Sequence, residues 1–199
     1  MSLKHSYTLL APLYDIAVDH ATRTMRQRSL TQLGDVANKS ILLAGVGTGL
    51  DFAHLPRGAH YTGIDITPAM LKRAKAKIPA DLPISLQQGD VTAMPFDKAS
   101  FDVAICHLIL AVVPEPEKMI KEIARVVRPG GDVLILDKFL HQGQLALGRR
   151  FLNLLLRHVA TRTDVIFEEV LAHAPALHII SDTPALGGGW FRHIHLRKT

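Results

Sequence analysis

A chain of 199 residues, 48% of them apolar, is long enough to enclose one sizeable core, and it shows neither a fixed-period repeat nor a polar tail. Its formal net charge of +5 is too modest for a dedicated nucleic-acid binder, so no nucleic-acid partner is expected. Cys106 is the only cysteine, no apolar run nears the roughly 20 residues of a membrane span, and Met1 to Ser6 lacks the apolar core of a secretory leader; the expectation is a cytoplasmic protein without disulfides.

In chain order, the first forty residues read as helical. Leu9, Leu10, Leu13, Ile16 and Ala17 recur at helical spacing, Pro12 kinks the segment or starts a second helix, and Arg23, Arg26 and Arg28 gather behind it. From Ser40 onward strands alternate with helices. Ile41 to Ala44 is a short continuous apolar run, suited to a parallel strand buried on both faces. Tyr61 to Asp65 is the second strand. Thr67-Pro68 opens a helix, with Thr67 as the cap and Pro68 where no N–H is needed; the helix runs to Ala76 and stops before Pro79. Ile84 to Gln88 is the third strand, ending at Gly89-Asp90, and Phe101 to Cys106 the fourth. Glu115 to Val127 is an amphipathic helix closed by Arg128-Pro129-Gly130-Gly131. Asp132 to Asp137 is the fifth strand. Leu145 to Val159 reads as an amphipathic helix with a polar stripe at Arg149, Asn153 and Arg157, and Thr163 to Ala174 as another. Leu177 to Ser181 and Trp190 to Arg197 are the last strands, with Gly187-Gly188-Gly189 between them. This alternation predicts an α/β fold, a doubly wound sheet with helices on both faces.

Chemistry concentrates at the strand ends. Gly45-Val46-Gly47-Thr48-Gly49 directly follows the first strand. Glycines there let the backbone turn and approach a ligand closely, and a helix after them would aim free N–H groups at it. Asp65 ends the second strand, placed to accept hydrogen bonds from ribose hydroxyls, and Asp90 ends the third, placed for an adenine amino group. Turn glycines and turn aspartates are common, but three polar strand ends converging on one crevice point to a nucleotide-like ligand. A dinucleotide site needs G-x-G-x-x-G; here Leu50 holds the third glycine's place, which argues against an NAD-dependent oxidoreductase.

The series Gly45-Val46-Gly47-Thr48-Gly49, Asp65, Gly89-Asp90, Phe101-Asp102 and Arg128-Pro129-Gly130-Gly131 resembles the motifs of class I S-adenosylmethionine-dependent methyltransferases, in order and spacing, over about Ser40 to Asp137. The resemblance implies a mostly parallel seven-stranded sheet whose last strand is antiparallel. It implies that Gly45, Val46, Gly47 and Gly49 approach the methionine part of the cofactor. Asp65 would hold the ribose, Ile66 and Met70 would flank the adenine, Asp90 and Val91 would meet its edge, and His107 would lie under the sulfonium end. Leu43 departs from the pattern: the family usually has an acidic residue two positions before the first glycine, and it helps organise the loop. The opening Tyr7-Thr8-Leu9-Leu10-Ala11-Pro12-Leu13-Tyr14-Asp15 is similar to that of the branch containing quinone C-methyltransferases and bacterial phospholipid N-methyltransferases, where this segment caps the cofactor; Tyr7 and Tyr14 are its candidate contacts. The chain then divides into a helical lid over 1–39, a cofactor core over 40–137, an acceptor-shaping insert over 138–176 and a final strand pair over 177–199, all in one domain.

A methyl transfer of this kind takes S-adenosylmethionine to S-adenosylhomocysteine, and the bound cofactor carries the hard chemistry. A general base is needed only where the acceptor must lose a proton; His107 and His20 are the candidates by residue type, and no metal site is expected. After the fourth strand the text is Cys106-His107-Leu108-Ile109, not the Pro-Pro tetrad of the DNA amino-methyltransferases. From Lys138 onward eight Lys/Arg stand against four Asp/Glu. The apolar and basic insert, with Phe151, Leu152, Leu154, Leu155 and Leu156 beside Arg149, Arg150 and Arg157, packs on the sheet or lies on an anionic membrane surface. Together with the opening motif it directs the expected acceptor toward a lipid, quinone or other amphipathic small molecule. A protein that keeps the cofactor site without methyl transfer stays open as an alternative.

Overall fold

The computed structural model describes residues 22–140 and 165–199. The readings at Tyr7, Tyr14, Leu9 to Ala17, His20 and Leu145 to Val159 lie outside the described residues. The elements are helix α1 (22–30), β1 (Ser40–Ala44), β2 (His60–Asp65), α2 (Pro68–Lys75), β3 (Ile84–Gln88), β4 (Phe101–His107), α3 (Pro116–Val126), β5 (Val127–Lys138), α4 (Phe167–Leu171), β6 (Leu177–Leu186) and β7 (Phe191–Lys198).

The seven strands lie in the order β3-β2-β1-β4-β5-β7-β6. β1 to β5 are mutually parallel, and β7 runs antiparallel to both its neighbours. This is the sheet expected from the motif series. The chain winds outward from β1 to β3, then returns to place β4 on the other side of β1, and the reversal opens a crevice beyond the carboxyl ends of β1 and β4.

Alternation along each strand feeds two cores. Leu42, Ala104, Cys106, Val133 and Ile135 pack with Met119, Ile120 and Ile123 of α3 and Phe167 and Val170 of α4. Ile41, Leu43, Val103, Ile105 and Leu134 pack on the opposite face with Leu30, Phe52 and Ala74. Burial on both faces is the physical reason that the central strands read as unbroken apolar runs. α1 buries Thr22, Met25, Arg26, Ser29 and Leu30 and exposes Arg23, Thr24, Gln27 and Arg28. Its spacing is helical, yet three of its buried residues are polar.

Four local expectations are corrected. The glycine loop is followed by a single 3-10 turn, Phe52–His54, and no α-helix: Pro56 disfavours helical backbone at Leu55, which is extended. Thr67 makes no side-chain cap; its backbone N–H donates to Asp65 Oδ1 at 2.9 Å instead. Arg128 to Gly131 is a bulged start of β5, since the register with β4 shifts between Phe101 and Val103. β6 continues five residues past Ser181, to Leu186, because β7 offers it an unbroken partner.

Candidate functional site

The crevice is lined by Gly45 from the end of β1, Asp65 and Ile66 from β2, Asp90, Val91 and Thr92 after β3, and Ile109, Val113, Pro114 and Glu115 after β4. Asp65 is nearly buried and holds the glycine loop: its Oδ2 accepts the Gly47 N–H at 2.8 Å. The Gly45 and Val46 N–H groups donate to the Ile64 carbonyl. Leu43 lies in the core under the loop, so β2, through Asp65, supplies the carboxylate that steadies the loop. Asp90 Oδ1 accepts both the N–H and the hydroxyl of Thr92 at 2.8 Å.

The loop glycines differ in what they do. Gly47 has φ +55°, and a Cβ there would meet nothing within 4 Å; it faces open space, as a ligand-approach position requires. A Cβ on Gly45 would lie 2.5 Å from the Ile109 side chain, so this glycine lets the β1 and β4 loops touch. Gly49 packs against the Phe52 ring and the Ala74 backbone, and Val46 is buried and sits over Gly63; both serve packing. Met70, in the first turn of α2, is not among the lining residues.

The wall after β4 is set by an unusual backbone. Leu108 has φ +56°, and its N–H donates to the Leu136 carbonyl at 2.7 Å. Asp137, at the end of β5, is 1% exposed and accepts the Ala111 N–H at 3.0 Å and the Lys138 N–H at 2.8 Å. Burial pushes this carboxyl up to about 6, against the pull of those backbone donors. Burial, with the charge of Asp137 nearby, also raises the Cys106 thiol far above its ordinary value.

Behind the glycine loop runs a buried polar chain. His107 Nδ1 lies 2.9 Å from Asp51 Oδ1, and its Nε2 lies 2.9 Å from Ser29 Oγ. Arg26 donates to Asp51 at 2.9 Å and to Thr22 at 3.0 Å. Burial alone would raise the Asp51 carboxyl, but His107 and Arg26 outweigh it and hold it well below the carboxylate range. The chain ties α1 to the exit of the glycine loop and to the end of β4. Both ring nitrogens of His107 are taken and the ring is buried. The residue read as a base at the sulfonium end is here a structural link.

Asp65, Ile66, Asp90, Val91 and Gly45 therefore do meet at one crevice. Thr92, Ile109, Val113, Pro114 and Glu115 were missed; no residue type marks them, and only the rule that ligands sit beyond strand carboxyl ends points to the loop after β4. Ser29, Arg26 and Asp51 were missed as well, although polar residues on the inward face of a helix are a readable signal. Among the described residues no group of three or more His, Cys, Asp or Glu side chains could hold a metal ion. Carboxylates on adjacent strand ends, apolar walls at Val91, Ile109 and Val113, and an open approach at Gly47 suit a nucleoside with hydroxyl and amino donors.

Residues 42–135 match the family model described as a methyltransferase domain. A phosphatidylethanolamine N-methyltransferase of Cereibacter sphaeroides is 30% identical over 190 residues, covering 94% of this chain and 93% of that one. A demethylmenaquinone methyltransferase of Clavibacter sepedonicus is 31% identical over 133 residues, covering 66% of this chain and 53% of that one. Among solved structures, the geranyl diphosphate C-methyltransferase of Streptomyces coelicolor A3(2), crystallised with Mg2+, geranyl diphosphate and S-adenosyl-L-homocysteine, superposes with a TM-score of 0.70 at 14% identity, over 90% of this chain and 82% of that one. The near full-length match at this identity, on a sheet of this order, establishes that the chain belongs to the class I S-adenosylmethionine-dependent methyltransferases.

Proposed function

We propose that this enzyme methylates an amphipathic acceptor and that the acceptor is an amine-bearing phospholipid. One observation carries the choice: the phosphatidylethanolamine methyltransferase aligns over almost the whole of both chains, whereas the quinone relative aligns over 53% of its own length. A quinone acceptor is the second reading, and it rests on that shorter match.

S-adenosylmethionine, when bound, supplies a methyl group made electrophilic by the sulfonium. In this reading Asp65 accepts the ribose hydroxyls while still holding Gly47. Asp90 and Val91 meet the adenine edge, Ile66 and Val113 cover its faces, and Gly45 and Gly47 let the backbone approach the methionine part. The protein's further task is to align the acceptor and exclude water. With His107 committed to Ser29 and Asp51, it is not assigned as a base.

Calorimetry with S-adenosylmethionine and S-adenosylhomocysteine tests the site. Asp65→Ala removes a charged hydrogen-bond acceptor, and even one such bond is worth about 1.5–3 kcal/mol, so affinity should fall by at least one to two orders of magnitude. Equal binding by the variant would remove Asp65 from the site. Turnover of labelled cofactor against phosphatidylethanolamine and against demethylated menaquinone then separates the acceptors; methylation of the quinone alone would reverse the proposal.

A further inference from the structure

We propose that Glu168 and Arg192 form the site that reads the acceptor's head group, with Arg192 Nη1 donating to a phosphodiester oxygen and Glu168 Oε2 accepting from the amino group of a phosphoethanolamine head. The choice of ligand rests on the amine-bearing phospholipid reading; the pair itself comes from the hydrogen bonds of the fold. Among the described residues, Arg192 Nη1 and Glu168 Oε2 are the buried side-chain atoms with no hydrogen-bond partner. Buried polar groups are almost always paired, so two orphans of opposite character at one spot point to a ligand that completes them.

Strand register sets the place. Arg192 pairs with Asp137 at the carboxyl end of β5, and its side chain is 6% exposed. Its guanidinium lies 5.8 Å from the centre of the Phe139 ring and 5.6 Å from that of Phe167, on the face of the sheet that α3 and α4 cover. Asp137 holds the Ala111 N–H, and Ala111 lies in the loop whose Ile109 and Val113 wall the crevice. Arg192 therefore stands at the edge on which the crevice opens, past β4 and β5 in the strand order.

Bond geometry leaves the two atoms spare. Arg192 Nε donates to Asp182 Oδ1 at 3.0 Å and Nη2 to Asp182 Oδ2, the paired contact that a guanidinium and a carboxylate favour. Nη2 also donates to Glu168 Oε1 at 2.7 Å. Glu168 is thus held by one oxygen, and Nη1 keeps both its N–H groups. The orphans belong to side chains already bonded to each other, so one small head group spans both. Charge selects its kind. A lone anion would face the carboxylates of Glu168 and Asp182 against a single guanidinium, and a lone amine would leave Nη1 unmatched. A zwitterion with a phosphate and an amino group satisfies both atoms and brings no net charge into a desolvated place. A quinone offers carbonyl oxygens to Arg192 and no N–H to Glu168. The Glu168 side chain is 33% exposed, so its rotation opens the pair to a ligand.

Ligand-observed NMR titration of the protein saturated with S-adenosylhomocysteine compares glycerophosphoethanolamine, which carries both groups, with glycerol phosphate and ethanolamine, which carry one each. The first should bind at least tenfold more tightly than either fragment. Glu168→Gln puts an amide N–H2 where Oε2 stands and keeps the bond from Arg192 through Oε1. It should raise KM for a short-chain phosphatidylethanolamine, kept below its micelle concentration, at least tenfold, with kcat and cofactor affinity much less affected. Asp182→Asn is the control for a merely structural role: both Asp182 oxygens are already bonded to Arg192, so it should lower the melting temperature and change KM far less. No binding of glycerophosphoethanolamine, equal affinity for the three compounds, or Asp182→Asn raising KM as much as Glu168→Gln would each overturn the proposal. Phosphatidylethanolamine turned over by Glu168→Gln with a wild-type KM would also overturn it and leave the acceptor reading standing. Selective binding of glycerophosphoethanolamine, lost in Glu168→Gln, while the lipid stays unmethylated would instead sink the acceptor reading and leave the head-group site standing.

Discussion

At the scale of the residue, Asp51 is a mostly buried carboxylate and Asp137 a fully buried one, and their environments drive them apart. Asp51 is held down by Arg26 and His107, so the stability it contributes is present above the unfolded carboxylate value and is lost as pH falls below about 4. Asp51→Asn leaves Arg26 without its countercharge and should destabilise by about 3–5 kcal/mol near neutrality, a gap that closes in acid; urea titrations across pH read it. Ser29→Ala, on the same chain but outside the crevice lining, should weaken cofactor binding non-additively with Asp51→Asn if α1 and the glycine loop move as one. Unchanged affinity in calorimetry would reduce the chain to a stabilising role.

Asp137 has the opposite sign. Its value is raised to about 6, so its stabilising contribution is complete below the unfolded carboxylate value, about 4, and is lost as pH rises through 6. The stability of wild type relative to Asp137→Asn should therefore shrink between about pH 4 and pH 6, measured by the same titrations; a gap that widens with pH would contradict the burial argument. Cys106, beside it, is buried with a raised thiol and should react with a thiol reagent only after unfolding.

At the scale of the element, the β1 and β4 loops meet through Gly45 and Ile109. Gly45→Ala places a methyl 2.5 Å from Ile109 at φ +70°. It should displace the loop after β4, raise the dissociation constant for cofactor at least tenfold and lower the melting temperature, as calorimetry and thermal scans would show. α3 is the ordinary case beside it. Ile123 is fully buried, and Ile123→Ala should cost about 2–5 kcal/mol while leaving cofactor affinity near wild type, because α3 supports the sheet from below the crevice.

At the scale of the whole molecule, the proposed cofactor crevice is lined by residues at the ends of four strands, so cofactor bound there should stabilise the fold as a unit. Saturation at a hundredfold over the dissociation constant adds about 2.7 kcal/mol, visible as a rise in melting temperature with either S-adenosylmethionine or S-adenosylhomocysteine and much reduced in Asp65→Ala. A flat melting temperature in wild type would mean that the ligand does not engage the described crevice.

The positions of the central strands along the chain, the glycine loop and the two acidic strand ends were legible in the sequence, because each rests on local chemistry, whereas the antiparallel last strand was implied only by the family resemblance. Continuous apolar runs mark doubly buried strands, glycines mark positive φ, and a carboxylate at a strand end needs no distant partner to be recognised. What only the tertiary structure decided depends on residues far apart in sequence. Pro56 halts the turn that should have become a helix after Gly49. Asp65 reaches back to Gly47 and steadies a loop whose usual carboxylate is Leu43. Ser29 and Asp51 occupy both nitrogens of His107 across 78 and 56 positions of chain. The wall of Ile109, Val113 and Glu115 is made of residue types that any loop contains, and the shared edge of Arg192 with the crevice exists only through the antiparallel register of β7. Sequence patterning reports what a residue needs, and packing assigns which distant group supplies it.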